Sequence, residues 1–153
     1  MQQTAVMVGG ILTTLGLSSE SARALSAAPL SFVQAIRANG PAHVYAIPDK
    51  DGVQIDKDAG IILVRWLGSV YAFSLSCPHQ NTALTWLDKE ERFQCPKHRS
   101  QYSADGYFIR GRATRGMDRY AITRDKNTVI VDLSTLKKQS DDKDAWEATA
   151  VKL

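Results

Sequence analysis

The chain has little of the chemistry that usually announces a function. Its 153 residues hold two cysteines, three histidines and five prolines. Two cysteines can make one disulfide at most, so a disulfide scaffold is excluded and the redox compartment stays open. The net charge is only +3. With no Lys/Arg run, nucleic acid is not expected as a partner. The apolar stretch Ala5–Leu17, AVMVGGILTTLGL, is thirteen residues long, short of the about 20 that a membrane-crossing helix needs. No internal repeat, nucleotide-binding motif or base–nucleophile pair is visible. A complete enzyme is therefore not expected, and a relay or a subunit is. What remains is ordinary for one globular domain: 44% apolar and 23% charged residues, in a chain long enough for one core.

The apolar stretch near the N-terminus fits the central region of an export signal. Small-residue cleavage sites follow at Ala22-Arg23-Ala24 and Leu25–Ala28. Only MQQT precedes it, where a signal carries basic residues. The expectation is an export signal or N-terminal anchor over residues 1–27, of twin-arginine type, with its basic pair upstream of Met1. The folded domain then occupies residues 28–153.

Residues 31–40, SFVQAIRANG, place Phe32, Val33 and Ile36 on one helical face, before the stop Asn39-Gly40-Pro41. Beyond Pro41 the period falls to two. AHVYAI, IILVRWL and VYAFSLS read as strands, the last two joined as a hairpin at Gly68-Ser69. ALTWL and RFQC flank DKEE as a second hairpin. YFIRG follows, and RYAITR and TVIVDL flank DKN as a third. The pattern predicts an all-β, antiparallel sandwich or small barrel. In the tail, one helical turn is expected, anchored by Trp146.

Against this plain background, one stretch concentrates the rare residues. CPHQNTALTWLDKEERFQCPKH, residues 77–98, contains both cysteines and two of the histidines. They fall as Cys77-x-His79, fifteen intervening residues, then Cys95-x-x-His98. Each group closes a strand, so two hairpin loops can meet at one tip. Thiolate and neutral imidazole suit zinc, copper or iron–sulfur, and not calcium or magnesium. Structural zinc more often pairs Cys with Cys and His with His. One Cys and one His from each loop instead suit two bridged irons, with two thiolates on one and two imidazoles on the other.

At this point the sequence resembles the Rieske [2Fe–2S] proteins. The resemblance covers about residues 42–133. It is carried by CPHQ, by CPKHRSQY, by the following ADGYFIRGRAT and by the lead-in LVRWLGSVYAFSLSCPH. It implies one [2Fe–2S] cluster per chain, held by Cys77, His79, Cys95 and His98 at the tip of a Rieske-type fold. It further implies that Ser100 donates to a bridging sulfide and Tyr102 to a cysteine sulfur, as in members of cytochrome bc complexes. The expected function is one-electron transfer as the iron–sulfur subunit of a quinol–cytochrome c oxidoreductase or another periplasmic oxidoreductase, arsenite-oxidase small subunits being similar. Expected partners are cytochrome b- or c-type or other oxidoreductase subunits, and quinol. The expected place is the periplasm or the periplasmic face of the inner membrane, with membrane association through the N-terminus or the complex. The alternative from another class is a soluble Rieske ferredoxin feeding an aromatic-ring oxygenase.

Three departures from the family pattern matter. The disulfide that ties the two loops in high-potential members would join positions 82 and 97, which are Thr82 and Lys97. The family's glycine after the second histidine is Arg99, which is strained if φ is positive there. The loop expected over the cluster, Gly111-Arg112-Ala113, has no proline. Lys97, Arg99, Arg110, Arg112, Arg115 and Arg119 all fall near these loops, which reads either as a solvated basic edge or as a basic rim that favours the reduced cluster and steers an acidic partner. His43, Trp66, Trp86 and Trp146 are expected to be structural.

Overall fold

The run IILVRW explains the layering of the molecule. A strand buried on one face alternates apolar and polar residues, whereas this one does not alternate. In the computed structural model, which describes residues 41–153, it forms β3 (Ile61–Trp66), and both its faces are covered. Ile62 and Val64 join one core cluster, and Ile61 and Leu63 another.

The strands before and after are β1 (Ala42–Ala46), β2 (Gly52–Asp56) and β4 (Ser69–Ser74). Leu67 and Gly68, both at positive φ, make the two-residue β3–β4 turn, a geometry that favours glycine and matches strand twist. Three-residue strands follow: β5 (Thr85–Leu87), β6 (Arg92–Gln94), β7 (Gln101–Ser103) and β8 (Phe108–Arg110). The chain then forms β9 (Arg119–Asp125), β10 (Thr128–Lys137), α1 (Lys143–Glu147) and β11 (Val151–Lys152).

These strands make two antiparallel sheets. The larger runs β1-β10-β9-β4-β3-β2, with β11 also on β4, and the smaller runs β5-β6-β7-β8. Val129 and Val131 of β10 pack against Ile61, Leu63, Val70 and Ala72 of β3 and β4. Strands of one sheet that pack on each other require the sheet to curl. On the opposite face, Ile62, Val64 and Phe73 meet Phe93 and Tyr102 of the small sheet, with Cys77 and Cys95 in the same cluster. The all-β expectation is met. Three strands escaped the sequence pattern, β2, β7 and β11. The export segment and the helix expected over 31–40 lie outside the described residues.

The tail holds the expected helical turn, α1, and ends in β11 on the edge of β4, which was not expected. Asp142 caps α1, accepting from the Ala145 amide at 2.9 Å. Trp146 is fully buried, and its Nε1 donates to the Met117 carbonyl at 2.7 Å. The Arg119 guanidinium lies 3.4 Å above its ring, with Tyr71, Phe73 and Tyr107 around it. Arg119 also donates to the Trp146 and Asp105 carbonyls. It is 2% exposed, so it does not belong to the basic rim. Arg115 is ion-paired with Asp118. The rim expected from sequence therefore shrinks to Lys97, Arg99, Arg110 and Arg112, because only these four of the six are exposed and without such a partner.

Candidate metal centre

Two short loops are built on one backbone frame. In the first, the Cys77 amide donates to the Thr82 carbonyl and the Asn81 amide to the Cys77 carbonyl, both at 2.9 Å. In the second, the Cys95 amide donates to the Ser100 carbonyl and the Arg99 amide to the Cys95 carbonyl, again at 2.9 Å. The fifth residue of each loop is left-handed: Asn81 at φ 50° and Arg99 at φ 55°. The strain expected at Arg99 is thus present. The hexapeptides CPHQNT and CPKHRS differ in where histidine falls, third in one and fourth in the other. The first loop leads from the large sheet toward the small one, held at its base by the Ser76–Ala83 bridge. The second joins β6 to β7 inside the small sheet. Each loop thus follows the second strand of a hairpin, as the sequence suggested, β3–β4 before Cys77 and β5–β6 before Cys95.

The frames bring the predicted residues together. Cys77 and Cys95 are free thiols, both buried. The rings of His79 and His98 stand edge to face with centroids 4.9 Å apart. Each has a fully covered Nδ1 with no hydrogen-bond partner. Buried polar nitrogens are rarely left so, and two adjacent ones pointing to no protein acceptor call for a ligand. The accessible part of each half-buried ring is then its Nε2 side.

The electrostatics agree with ligation. Burial pushes the Cys95 thiol up, but the amides of His98 and Lys97, with the Cys77 thiol and Thr82 hydroxyl, outweigh it and hold it below its ordinary value. That favours thiolate, the form that binds metal. Burial, then the charges of Arg112, His79 and Lys97, hold His98 below its ordinary value. The neutral imidazole is the ligating form. The Tyr102 hydroxyl lies 3.3 Å from Cys77 Sγ. Burial, and next that contact, raise its pKa, so it stays protonated and can donate.

Ser100 is wholly buried. Its Oγ accepts from the Arg112 and Ala113 amides, both at 3.1 Å. Sequence reasoning missed this second use of Ser100, as an anchor for the loop above it. Gly111 makes that anchoring feasible: at φ 118°, an added Cβ would sit 2.4 Å from Ser100 Cα. The missing proline is thereby replaced by a close glycine contact and two hydrogen bonds.

The donor set fits a two-iron cluster. A bridged pair of irons asks only for two thiolates on one side and two imidazoles on the other.

The chain is similar to known proteins. Over 59 residues the chain is 37% identical to the "Cytochrome b6-f complex iron-sulfur subunit" of Synechococcus sp. (strain JA-3-3Ab), covering 39% of this chain and 34% of that one. Over 79 residues it is 30% identical to subunit 2 of the same name from Synechocystis sp. (strain PCC 6803), covering 51% and 44%. The match thus spans less than half the length of these relatives. A similar solved structure is that of the cyanobacterial plasma membrane Rieske protein PetC3 from Synechocystis PCC 6803, with TM-score 0.44 and 23% identity, over 52% of this chain and 83% of that one. The profile of the Rieske [2Fe–2S] domain matches residues 32–121. The chain belongs to the Rieske [2Fe–2S] family and carries one [2Fe–2S] cluster.

Proposed function

We propose that this protein is a one-electron carrier, the iron–sulfur subunit of a quinol-oxidising cytochrome complex on the periplasmic side of a membrane. Cys77 and Cys95 would hold one iron through Sγ, and His79 and His98 the other through Nδ1. The observation that carries this reading is the pair of buried Nδ1 atoms without partners, beside two free thiols.

When bound, the cluster supplies a one-electron couple whose imidazole ligands lift its potential to roughly −150 to +300 mV. The chain's own residues place it within that range. Tyr102 donates to Cys77 Sγ, and Ser100, by the family resemblance, donates to a bridging sulfide. Donors to sulfur favour the more negative, reduced state. The Nε2 side of His79 or His98 faces outward, where an unprotonated nitrogen can accept from a quinol hydroxyl and then hold its proton. The relatives, iron–sulfur subunits of cytochrome b6-f complexes, support a cytochrome complex as partner. No helix among the described residues is long and apolar enough to cross a membrane. Membrane association is assigned to the export or anchor segment over 1–27, or to the complex itself.

The deciding experiment is the midpoint potential of the cluster-loaded chain, by EPR-monitored titration at pH 7 and pH 9. A positive value that drops at pH 9 is expected. A value near the floor of the Rieske range, unchanged with pH, would establish the second reading, a ferredoxin serving a ring-hydroxylating oxygenase. The absent loop disulfide, with Thr82 and Lys97 in its place and both cysteines free, favours that reading.

A further inference from the structure

Beside His98, a hollow of about 360 Å³ opens on the small sheet, lined by Arg92, Gln94, His98, Arg99, Gln101 and Arg110. Neither a carboxylate nor an apolar side chain contributes to its wall. Its floor is built rather than incidental. Gln94 and Gln101 face each other in register across β6 and β7. Gln101 Nε2 donates to Gln94 Oε1 at 3.0 Å, and Arg92 Nη1 donates to the same oxygen at 3.0 Å. Arg110 Nε donates to Gln101 Oε1 at 2.8 Å. Gln101 is only 6% exposed, so it is a fixed post for Arg110. Arg110 is exposed, and its two terminal nitrogens have no hydrogen-bond partner among the described residues. Arg92 is ion-paired with Glu90. The uncompensated charge at the hollow is therefore that of Arg99 and Arg110.

We propose that this hollow is a docking socket that takes an Asp or Glu carboxylate from an acidic segment of the redox partner, between Arg99 and Arg110. A planar guanidinium held at Nε matches a carboxylate bidentately. A quinone ring or a lipid chain needs apolar walls, which this hollow lacks. Docking there brings the partner's surface against the His98 imidazole, the edge of the centre. That usefulness rests on the function proposed above, whereas the binding itself does not.

The test uses the full, cluster-loaded chain and a fluorescent hexaglutamate peptide as probe, followed by anisotropy at low salt. Replacing both arginines (Arg99→Ala with Arg110→Ala) is expected to weaken binding about tenfold, equivalent to 1.4 kcal/mol. Arg110→Lys keeps the charge but loses the fork, and is expected to weaken binding several-fold. The charge-matched pair Arg124→Ala with Lys126→Ala, on the β9–β10 turn, should change it less than twofold. Wild-type binding by Arg110→Lys would overturn the socket in favour of charge alone. Equal weakening by the control pair would overturn it in favour of a diffuse field. Arg99/Arg110-dependent binding to phosphatidylglycerol vesicles, with none to the peptide, would replace the protein partner by a membrane. Cluster loading is read separately from the optical and EPR spectra. Peptide binding to a chain that never takes up a Rieske-type cluster would support the socket and refute the metal centre.

Discussion

The two cysteine loops share a frame but not a way of being held. The first, Cys77–Thr82, is fastened at its base to strand-like pairing between Ser76 and Ala83, and its left-handed position is occupied by asparagine, which tolerates it. The second, Cys95–Ser100, holds an arginine at the same position and is roofed by Gly111–Ala113 through Ser100. One backbone solution thus serves twice, with strain and close packing concentrated in the second copy. The difference teaches where this protein concentrates its cross-segment contacts: between the second loop and its roof, through Ser100 and Gly111.

The largest expected effect strikes that contact. Gly111→Ala forces a Cβ onto the Ser100 backbone at a φ that L residues rarely adopt. A loss of roughly 2–5 kcal/mol is expected, read from urea denaturation of the loaded chain, with parallel loss of the cluster's visible absorbance. An unchanged midpoint would break the claim that the roof holds the second loop.

Next comes a paired removal of hydroxyls. Ser100→Ala strands the buried Ala113 amide and the half-buried Arg112 amide, at about 2 kcal/mol, and lowers the reduction potential as a donor is lost. Thr82→Ala in the first loop should cost under about 1 kcal/mol. Equal costs would erase the asymmetry between the loops.

A smaller effect of opposite sign is expected at the left-handed positions. Arg99→Gly should stabilise by about 1 kcal/mol, and Asn81→Gly by less, because asparagine already accepts that conformation. Thermal unfolding of the two variants, side by side, measures the difference.

The smallest effect concerns pH in the cluster-free chain. The folded state holds His98 below its ordinary value of 6.5. The unfolded chain then takes up a proton near 6.5 while the folded chain resists it. Stability should be level above about pH 6.5 and drain away as pH falls below it, toward the folded value. His98→Gln should flatten that slope between pH 7.5 and 5.5. A slope unchanged in the variant would place its origin elsewhere.

The fold was legible where burial imposed a rhythm. β3, β4, β9 and β10 carry runs of apolar or alternating residues, and each strand lies where its run does. β2, GVQID, escaped because an edge strand carries exposed polar residues that blur alternation. β7, QYS, escaped because three residues are too few to show a period, and its residues already read as part of the cysteine motif. The rim was over-read for a different reason. Arg119 stands near the loops in sequence, yet its stack on Trp146 depends on a partner 27 residues away, which no local pattern reveals.

By itself, the sequence determined which atoms could bind metal. Two thiols and two imidazoles in matched hexapeptides limit the chemistry before any folding is considered, because side-chain type and local spacing are properties of the chain alone. Tertiary structure decided what each of these groups faces. Only the packing of the two sheets buries both Nδ1 atoms without partners, sets Tyr102 against Cys77, turns Ser100 into the peg for its roof and hands Arg110 to Gln101. Those are contacts between segments distant in the chain, and long-range contacts are fixed by the shared core and not by neighbours in sequence.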